Sequence, residues 1–433
     1  MSRWAIVGGG MLGGSMALRS ARAGHQVTLF EAAPSLGGLA SAWTIGDVVW
    51  DRHYHVTLLS DSRTRELLDE LGLEPTWVQT KTGSFFDGKL YSVSNAIEFL
   101  KFPPLSLWGK ARLASTILYG SRTKNWKKLE QIPVEVWLTR WSGKKVFDRF
   151  WLPLLEAKLG NAYHETSAAF IWATIQRLYA ARRSGLKTEM FGYVPGGYAR
   201  ILGRLHEVLV AAGVDVRLSA PVESVKRGPQ VQSARGVEHF DQVVVTTPAP
   251  LAERLIDDLS EEEKSRLRGS RYLGIVCPSV LTRRPLSEFY LTYLHDPAPF
   301  TAIVEMSAFV DRAQFGGNSL LYLPKYVAPD DPLFEATDDE IKADFLPALA
   351  RIHPQFDPDD VIAFKVSRAR YVFAVSSLGR SAHVPEIHTT LPGVHVVSSA
   401  QILNGTLNVN ETLELSARGT TELLKAPEAT AVA

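Results

Sequence analysis

Cysteine, net charge and long apolar runs are all scarce in this chain. The 433 residues include one cysteine, Cys277, so neither an internal disulfide nor a cysteine zinc site can form. The 47 basic and 46 acidic residues leave a net charge of +1, which argues against a nucleic-acid-binding protein. No uninterrupted run of about 18 apolar residues appears, so we expect no membrane-spanning helix. The cysteine usage fits a reducing, cytoplasmic compartment.

What the chain does have is apolar residues, which make up 45% of the sequence, and a length that predicts about two or three domains. Residues 1–23 carry an early arginine and end in Ala-x-Ala, as a secretory signal does. Glycines interrupt their apolar run, and a strand, a turn and a helix account for the whole segment.

The first unit has the pattern of a dinucleotide-binding site. Residues 3–7 (RWAIV) predict a strand, residues 15–24 (SMALRSARAG) a helix, and residues 25–30 (HQVTLF) a second strand that ends at Glu31. Between the first strand and the helix lies the turn GGGMLGG, residues 8–14. An acidic residue about 20 positions beyond such a turn completes the dinucleotide pattern.

Each glycine of the spacing G-x-G-x-x-G has a physical role. Gly8 allows a tight turn, Gly10 lets the backbone approach a pyrophosphate, and Gly13 lets the helix pack closely on the strand. The helix N-terminus offers free N–H groups to phosphate oxygens. Glu31 is placed to accept hydrogen bonds from a ribose diol.

A second glycine turn distinguishes FAD from NAD. Gly37, Gly38 and Leu39 follow Glu31, and the sequence AAPSLGGLASAW resembles the extended fingerprint of the FAD-binding flavoproteins related to amine oxidases and protoporphyrinogen oxidases. The resemblance implies FAD, bound without a covalent link, with the glycine pair near the pyrophosphate and ribityl chain. It also implies an α/β fold, in which a Rossmann-like FAD-binding domain (GR2-type) is interleaved with an α+β substrate domain.

Later segments resemble the parts of this family that return to the cofactor. The entry Pro195–Tyr198 precedes an amphipathic helix, the strand PVESVKR would bring the backbone of Val222 to the adenine, and DQVVVTTPAP resembles the strand beneath the cofactor. Near the C-terminus, residues 408–411 (NVNE) have the spacing of a helix N-terminus, which the family points at the flavin.

The chain departs from the family after the strand VHVVSS. Many relatives have Gly-Asp there, whereas this sequence has Ser398, Ser399 and Ala400, so a serine hydroxyl would have to substitute. The residues that the resemblance places at the cofactor are Gly8, Gly10, Met11, Leu12, Gly13, Glu31, Gly37, Gly38, Leu39, Val222, Thr246, Pro248, Ser399, Asn408, Val409 and Asn410.

The resemblance also implies the domain limits. The FAD-binding domain would comprise residues 1–80, 190–255 and 380–425, with a helical substrate part at 81–189, a sheet part at 256–379 and a disordered tail at 426–433. Within the helical part, Asp87-Gly88 predicts a hairpin turn.

The stretch DRHYHV, residues 51–56, contains the candidate catalytic groups. If a strand continued through it, Asp51, His53 and His55 would share one face. Three interpretations remain open: a metal site, although no further ligands are visible; a core histidine bonded to Asp51; or the wall of a flavin pocket. The family resemblance favours the third, with His55 as an acid or base, since imidazole titrates near neutrality.

Further candidates rest on weaker likeness. Arg370 and Tyr371, in RARYVFAV, lie where family members place side chains opposite the flavin, but Ser376 stands where those relatives have proline. Lys365 is the nearest positional match to the lysine that amine oxidases keep near the flavin. Cys277 lies in an apolar strand and is expected to be core rather than a covalent flavin attachment.

The stretch from Lys101 to Lys128 contains seven basic residues, no acidic one, and interspersed aromatic residues. Such a stretch can be a solvated face, or it can lie against an anionic membrane surface, as the resemblance to protoporphyrinogen oxidases also suggests. Apart from such a membrane surface, the partner that we expect for the protein is a small-molecule substrate.

Three functions fit these patterns. The first is a redox enzyme in which FAD accepts a hydride or electrons from an organic substrate. The second is a flavin-dependent sugar isomerase like UDP-galactopyranose mutase, for which Arg182 and Arg183 are the best candidates to bind a diphosphate. The third is a flavin-bound protein without activity.

Overall fold

The computed structural model describes residues 1–94, 96–182, 190–403 and 405–425. The strands in these ranges are β1 (Arg3–Val7), β2 (Gln26–Phe30), β3 (Ala42–Ile45), β4 (Val48–Asp51), β5 (Thr57–Leu58), β6 (Thr76–Gln79), β7 (Lys81–Phe86), β8 (Lys89–Ser92), β9 (Met190–Tyr193), β10 (Asp215–Arg217), β11 (Val222–Lys226), β12 (Gln230–Ser233), β13 (Gly236–His239), β14 (Gln242–Val245), β15 (Tyr272–Thr282), β16 (Phe289–Leu294), β17 (Ala302–Glu305), β18 (Ser319–Tyr322), β19 (Lys325–Val327), β20 (Val361–Ala374) and β21 (Val394–Val396). The α-helices are α1 (Met11–Arg22), α2 (Ser62–Glu70), α3 (Ala96–Lys101), α4 (Leu107–Arg122), α5 (Trp126–Leu129), α6 (Val134–Ser142), α7 (Lys144–Val146), α8 (Leu152–Leu159), α9 (Ala168–Arg182), α10 (Gly197–Ala211), α11 (Ala249–Leu255), α12 (Glu261–Arg268), α13 (Asp338–Ile352) and α14 (Val409–Lys425).

A parallel sheet in the order β10-β2-β1-β14-β21 carries the first glycine turn. Its central strands are continuous apolar runs because both faces are covered, as is usual for parallel sheets. Helices α1, α10 and α14 contribute to the core on one face, and α11, α12 and strands β11 and β12 contribute to the core on the other. The strands come from three separated stretches, so this α/β unit is interleaved with the rest of the chain.

A mixed sheet forms the second layer, in the order β19-β15-β18-β17-β16-β7-β8, with β20 paired to β15. All eleven residues of β15 are buried, because helix α13 covers one face of the sheet and the hairpin β3–β4 packs against the other. The predicted hairpin turn is present: Asp87 and Gly88 both have positive φ, at 48° and 72°.

Helices α3–α9 form a third layer around their own apolar core, which also includes Leu273 and Val375 from the ends of the mixed sheet. The layer therefore packs against the sheet and lies close to residues that β15 and β20 contribute. The domain limits stay predictions, and the tail predicted to be disordered, residues 426–433, lies outside the described residues.

Candidate functional site

The first glycine turn is held together by an approach that only glycine permits. A Cβ atom at Gly13 would lie 1.8 Å from the carbonyl oxygen of Gly8, so any side chain there would push α1 away from the turn. Gly8 has φ +111°, which L side chains rarely adopt. The hydroxyl of Thr246 donates to the carbonyl of Val7 at 3.0 Å and locks the turn from β14. Thr246 thus supports the turn from the neighbouring strand.

The second glycine turn lies directly beside the first. The N–H of Gly37 donates to the carbonyl of Gly9 at 2.8 Å, and a Cβ at Gly38 would be 3.4 Å from the Cα of Gly10. A Cβ at Gly10 would meet only one neighbouring atom, the carbonyl oxygen of Gly37, at 3.9 Å. We call residues 8–13 and 37–39 the glycine cradle.

The cradle has the chemistry that a pyrophosphate needs. Helix α1 begins at Met11, its N-cap residue Gly10 supplies no side-chain hydrogen bond, and its first turn contains no acidic residue. The N–H groups of Met11, Leu12 and Gly13 therefore have no helical partner and are available to anionic oxygens. The open space at Gly10 allows the phosphate to approach the backbone.

The nucleoside end of the site forms around Glu31. Its carboxylate accepts from the N–H of Gly9 at 2.6 Å and from that of Ala33 at 2.7 Å. The N–H of Ala220 donates to the carbonyl of Glu31, so the segment that enters β11 at Val222 lies beside it. The structure thus brings together Gly9, Glu31 and the neighbourhood of Val222, as binding of an adenosine requires.

The asparagines before the last helix have separate roles. Asn408 caps α14, because its Oδ1 accepts from the N–H of Glu411 at 3.0 Å. The Oδ1 of Asn410 accepts from the N–H of Arg63 at 2.9 Å, so this side chain is used to hold the start of α2. What α14 offers a flavin is consequently the main chain around Val409 and Asn410, as the helix-terminus interpretation requires.

The loop after β21 supplies less than predicted. The hydroxyl of Ser399 lies 3.1 Å from that of Tyr272, and Tyr272 in turn accepts from the N–H of Ala249 at 3.4 Å. Pro248 immediately precedes α11. The Ser399 side chain therefore links the loop to β15, and its substitution for the family's aspartate is not supported by this contact.

The prediction that a strand continues through DRHYHV is wrong. Strand β4 ends at Asp51 because its only partner, β3, begins at Ala42, so no strand remains to pair with residues after Arg52. Asp51 is bound by other elements instead: its Oδ1 accepts from the N–H of Tyr198 at 2.7 Å, and its carbonyl accepts from the hydroxyl of Tyr322 at 2.6 Å. This ties the end of β4 to the start of α10.

His53 is a buried, neutral histidine next to the cradle. Its Nδ1 donates to the carbonyl of Leu39 at 3.1 Å, and its Nε2 is buried without a partner among the described residues. Burial, aided by the charge of His55, lowers the pKa of His53 to about 4. His53 therefore holds the second glycine turn and keeps one unsatisfied acceptor beside it.

His55 is the more accessible member of the pair, with 19% of its side chain exposed. Its Nδ1 lies 2.9 Å from the carbonyl of His53 and 3.7 Å from Oδ2 of Asp51. A carbonyl only accepts, so the neutral ring carries its proton on Nδ1 and leaves a lone pair on Nε2. Asp51 is thus a neighbour of His55, as the interpretation of a core histidine beside a carboxylate expects. The same geometry leaves Nε2 of His55 able to accept a proton.

Tyr54, which lies between His53 and His55 in the chain, belongs to a group of contacting residues that the sequence patterns did not predict. Its hydroxyl lies 2.8 Å from that of Tyr326, and the Nζ of Lys158 lies 3.3 Å from the centre of the Tyr326 ring. Phe373 flanks the same lysine at 5.2 Å. Each of these four residues is partly exposed, so they border accessible space. We use the name substrate cleft for Tyr54, Lys158, Tyr326 and Phe373 together with His55, which follows Tyr54 in the chain.

No short motif marks this cleft in the sequence. Lys158 lies in the mostly apolar helix LPLLEAKL, two residues after Glu156, and Tyr326 lies in a short edge strand. The one local signal is the lysine itself, because a lysine in a mostly apolar helix needs either solvent or a partner.

The remaining candidates lie elsewhere. Arg370 pairs with Glu335 and donates to the carbonyl of Pro329, on the sheet side covered by the segment that leads into α13. Its contacts do not support a place opposite the flavin, because alternation along β20 turns it away from the hairpin β3–β4. Lys365 donates to the carbonyl of Thr44 at 3.1 Å rather than reaching the cradle.

Tyr371 and Cys277 are structural by contact. The Tyr371 ring meets that of Tyr272 edge to face, with centroids 6.0 Å apart. Cys277 is fully buried in β15, and burial raises the pKa of its thiol, so it is core as expected. Arg183 lies outside the described residues, and only the main chain of Arg182 is described. Among the described residues, no cluster of three metal-ligating side chains occurs.

Comparison with known proteins identifies the family of this chain. The sequence matches the profile of the flavin containing amine oxidoreductase family over residues 15–408. No curated protein matches the chain. Similar solved structures include a provisionally named protoporphyrinogen oxidase from Exiguobacterium sp. 255-15, with TM-score 0.75, 18% identity and coverage of 97% of this chain and 98% of that one.

Two further structures have the same fold. Reduced UDP-galactopyranose mutase has TM-score 0.76 and 15% identity, with 99% of this chain and 97% of that chain covered. A putrescine oxidase variant has TM-score 0.74 and 19% identity, with 98% of each chain covered. Identities this low establish the fold and leave the substrate open. The profile match spans most of the sequence, so the chain belongs to the family of flavin-containing amine oxidoreductases, and its cofactor is FAD.

Proposed function

We propose that the protein is an FAD-dependent oxidoreductase that oxidises a small organic molecule bound in the substrate cleft. The observation that carries this proposal is the short path from cradle to cleft: His53 binds the second glycine turn, and Tyr54 and His55, the next two residues, border the cleft. When bound, FAD supplies the acceptor for a hydride or for electrons.

The chain's own groups would divide the work. The cradle N–H groups and Glu31 bind the diphosphate and ribose, and the main chain at the start of α14 places a positive partial charge near the flavin. The Nε2 of His55 takes the proton that the substrate loses, while Nδ1 stays bonded to the carbonyl of His53. Asp51, beside the same ring, stabilises the charge that the imidazole gains.

A panel of small molecules tests the proposal. Purified holoenzyme is mixed without oxygen with amines, carboxylates and alcohols, and loss of the visible absorption of oxidised flavin identifies a substrate. Reoxidation by oxygen or a quinone then identifies the acceptor. If no compound reduces the flavin but dithionite-reduced enzyme isomerises a UDP-galactopyranose, the redox proposal is wrong and the mutase function replaces it.

We also propose that the helical layer contacts an anionic membrane surface. Leu107 and Trp108, at the start of α4, are 76% and 73% exposed, and Leu100 nearby is 58% exposed. The stretch 101–128, to which Leu107 and Trp108 belong, has seven basic residues and no acidic one, and apolar insertion combined with positive charge favours anionic lipid. No helix among the described residues is long and apolar enough to cross a membrane. Location in the cytoplasm stays a prediction.

A further inference from the structure

Lys158 is an isolated cation at the junction of two layers. It belongs to α8 of the helical layer, but its Nζ lies over the ring of Tyr326 from the mixed sheet. Among the described residues, its ammonium makes no hydrogen bond and no ion pair. It contacts the aromatic faces of Tyr326 and Phe373 instead. A ring face attracts a cation without satisfying its three N–H donors.

The surroundings leave this ammonium short of a counter-charge. Burial lowers the pKa of Lys158 to about 7, and no neighbouring charge contributes to the shift. The nearest titratable groups are neutral, because burial raises the pKa of Tyr54 to about 12 and also raises the pKa of Tyr326. The charged and titratable residues of the elements packed against α8 include Asp148, Arg149, His164, Glu165, Tyr290, Tyr293 and Lys325. Of the two carboxylates, Asp148 pairs with Lys144 and Glu165 with Arg271.

A second lysine shows what a satisfied arrangement looks like in the same molecule. Lys365 also lies over an aromatic ring, that of Trp43, with its Nζ 4.6 Å from the ring centre. Unlike Lys158, it is exposed and donates a hydrogen bond, to the carbonyl of Thr44. The two lysines therefore share a ring contact and differ in burial and in hydrogen bonding.

We propose that Lys158 is the substrate-binding cation of the substrate cleft, and that the substrate carries a carboxylate on an apolar body. An incoming carboxylate would supply the missing acceptors and counter-charge, while Tyr326 and Phe373 would contact the apolar part. The same cation repels an ammonium group, so simple amines are poor ligands. The inference rests on the proposed function, because it takes the cleft beside His55 as the place where substrate binds.

Three probes of one size and different charge test the proposal: benzoate, benzylamine and benzyl alcohol. Binding to the FAD-loaded enzyme is measured by equilibrium dialysis and by perturbation of the flavin spectrum. We expect benzoate to bind more tightly than the other two. Its affinity should fall by up to about tenfold per pH unit above the pKa of Lys158, as the ammonium loses its charge.

Two substitutions separate charge from packing. Lys158→Met should lose at least about tenfold in benzoate affinity and remove its pH dependence. Lys158→Arg should bind benzoate with no loss of affinity between about pH 7 and about pH 9, because a guanidinium stays charged. Lys365→Met is the matched control and should bind benzoate as the unmodified protein does.

Equal benzoate affinity in the unmodified protein and Lys158→Met would overturn the inference, as would tighter binding of benzylamine than of benzoate, or no benzoate binding at all. These outcomes are separate from failure of the proposed function. FAD content and anaerobic reduction by a substrate report on the redox reaction, whatever the probes do.

Discussion

The glycine cradle and the substrate cleft satisfy their polar groups in different ways. In the cradle, backbone groups from adjacent turns pair with one another and with Glu31, and the N–H groups left over suit one common ligand, a diphosphate. In the cleft, neither the ammonium of Lys158 nor Nε2 of His55 has a hydrogen-bond partner among the described residues, and elements far apart in sequence hold the two side chains. Binding of a common cofactor is thus built from local backbone geometry, whereas selection of a particular substrate depends on side chains that tertiary packing brings together.

The largest effect is expected from a side chain added inside the glycine cradle, which should disrupt cofactor binding and leave the cleft residues unchanged. Gly13→Ala places a Cβ against the carbonyl of Gly8, so we expect loss of FAD and a destabilisation of several kcal/mol. The ratio of flavin to protein absorption after purification measures the first effect, and denaturant unfolding the second.

The matched control for that change is Gly203→Ala, because a Cβ at Gly203 in α10 meets nothing within 4 Å. It should keep its FAD and gain about 0.5 to 1 kcal/mol from better helix propensity. Full FAD occupancy in Gly13→Ala would show that the close approach of α1 to the turn is not required.

The next change acts on the cleft without touching the cradle. His55→Ala should retain FAD but reduce flavin by substrate about 10² to 10⁴ times more slowly, because the proton acceptor is lost. Stopped-flow absorbance with a substrate from the anaerobic panel measures the rate. His164→Ala, at an exposed histidine, serves as the control. An unchanged rate in His55→Ala would return this histidine to a purely structural role.

A smaller effect is expected in the cleft, on the pH dependence of the free energy of unfolding. The folded pKa of Lys158, about 7, is below the unfolded value of 10.5, so between these values the unfolded chain binds more protons. This lysine therefore makes stability rise with pH across that window, and it costs most below about pH 7. Lys158→Met should be more stable than the unmodified protein by on the order of 1 kcal/mol at about pH 6, with a smaller advantage at about pH 9.

Denaturant midpoints of the FAD-loaded proteins at the two pH values provide that measurement. Lys365→Met again serves as control, since Lys365 already has a hydrogen-bond acceptor. A constant difference between Lys158→Met and the unmodified protein at both pH values would contradict the assignment of a desolvated ammonium.

The smallest effect on stability is expected for substitutions on the exposed surface of the helical layer. The double substitution Leu107→Ser and Trp108→Ser should leave stability within about 0.5 kcal/mol, because both side chains are exposed. It should nevertheless abolish co-flotation with anionic liposomes at low salt. Val210→Ser, at a comparably exposed residue of α10, should co-float like the unmodified protein. No co-flotation of the unmodified protein would leave the stretch as a solvated face.

The sequence predicted the first glycine turn and its neighbours well because each position depends on residues close by. Gly13 must be glycine because it packs against the carbonyl of Gly8, five positions earlier. Glu31 accepts a hydrogen bond from Gly9 within the same strand–helix–strand unit. The prediction for DRHYHV failed where a longer-range condition applied: β4 ends because β3 has no residue left to offer it. Alternation along a strand can be read only as far as its partner strand extends.

The candidates from weaker likeness show the same limit. Arg370 and Lys365 were chosen by position along the chain, but the face that each occupies depends on the pairing of β20 with β15 and on what covers each side. Lys158 was not predicted, because its importance depends on Tyr326, which lies 168 residues further along the sequence in another layer.

By itself, the sequence determined the α/β architecture and the cofactor FAD, since both follow from turns formed within a few tens of residues. Tertiary structure alone decided that His53 is buried and neutral, and that Lys158 lies over the ring of Tyr326 without an ion pair among the described residues. Burial and the pairing of distant polar groups cannot be read from local spacing, because both are properties of surfaces that exist only after the layers have packed.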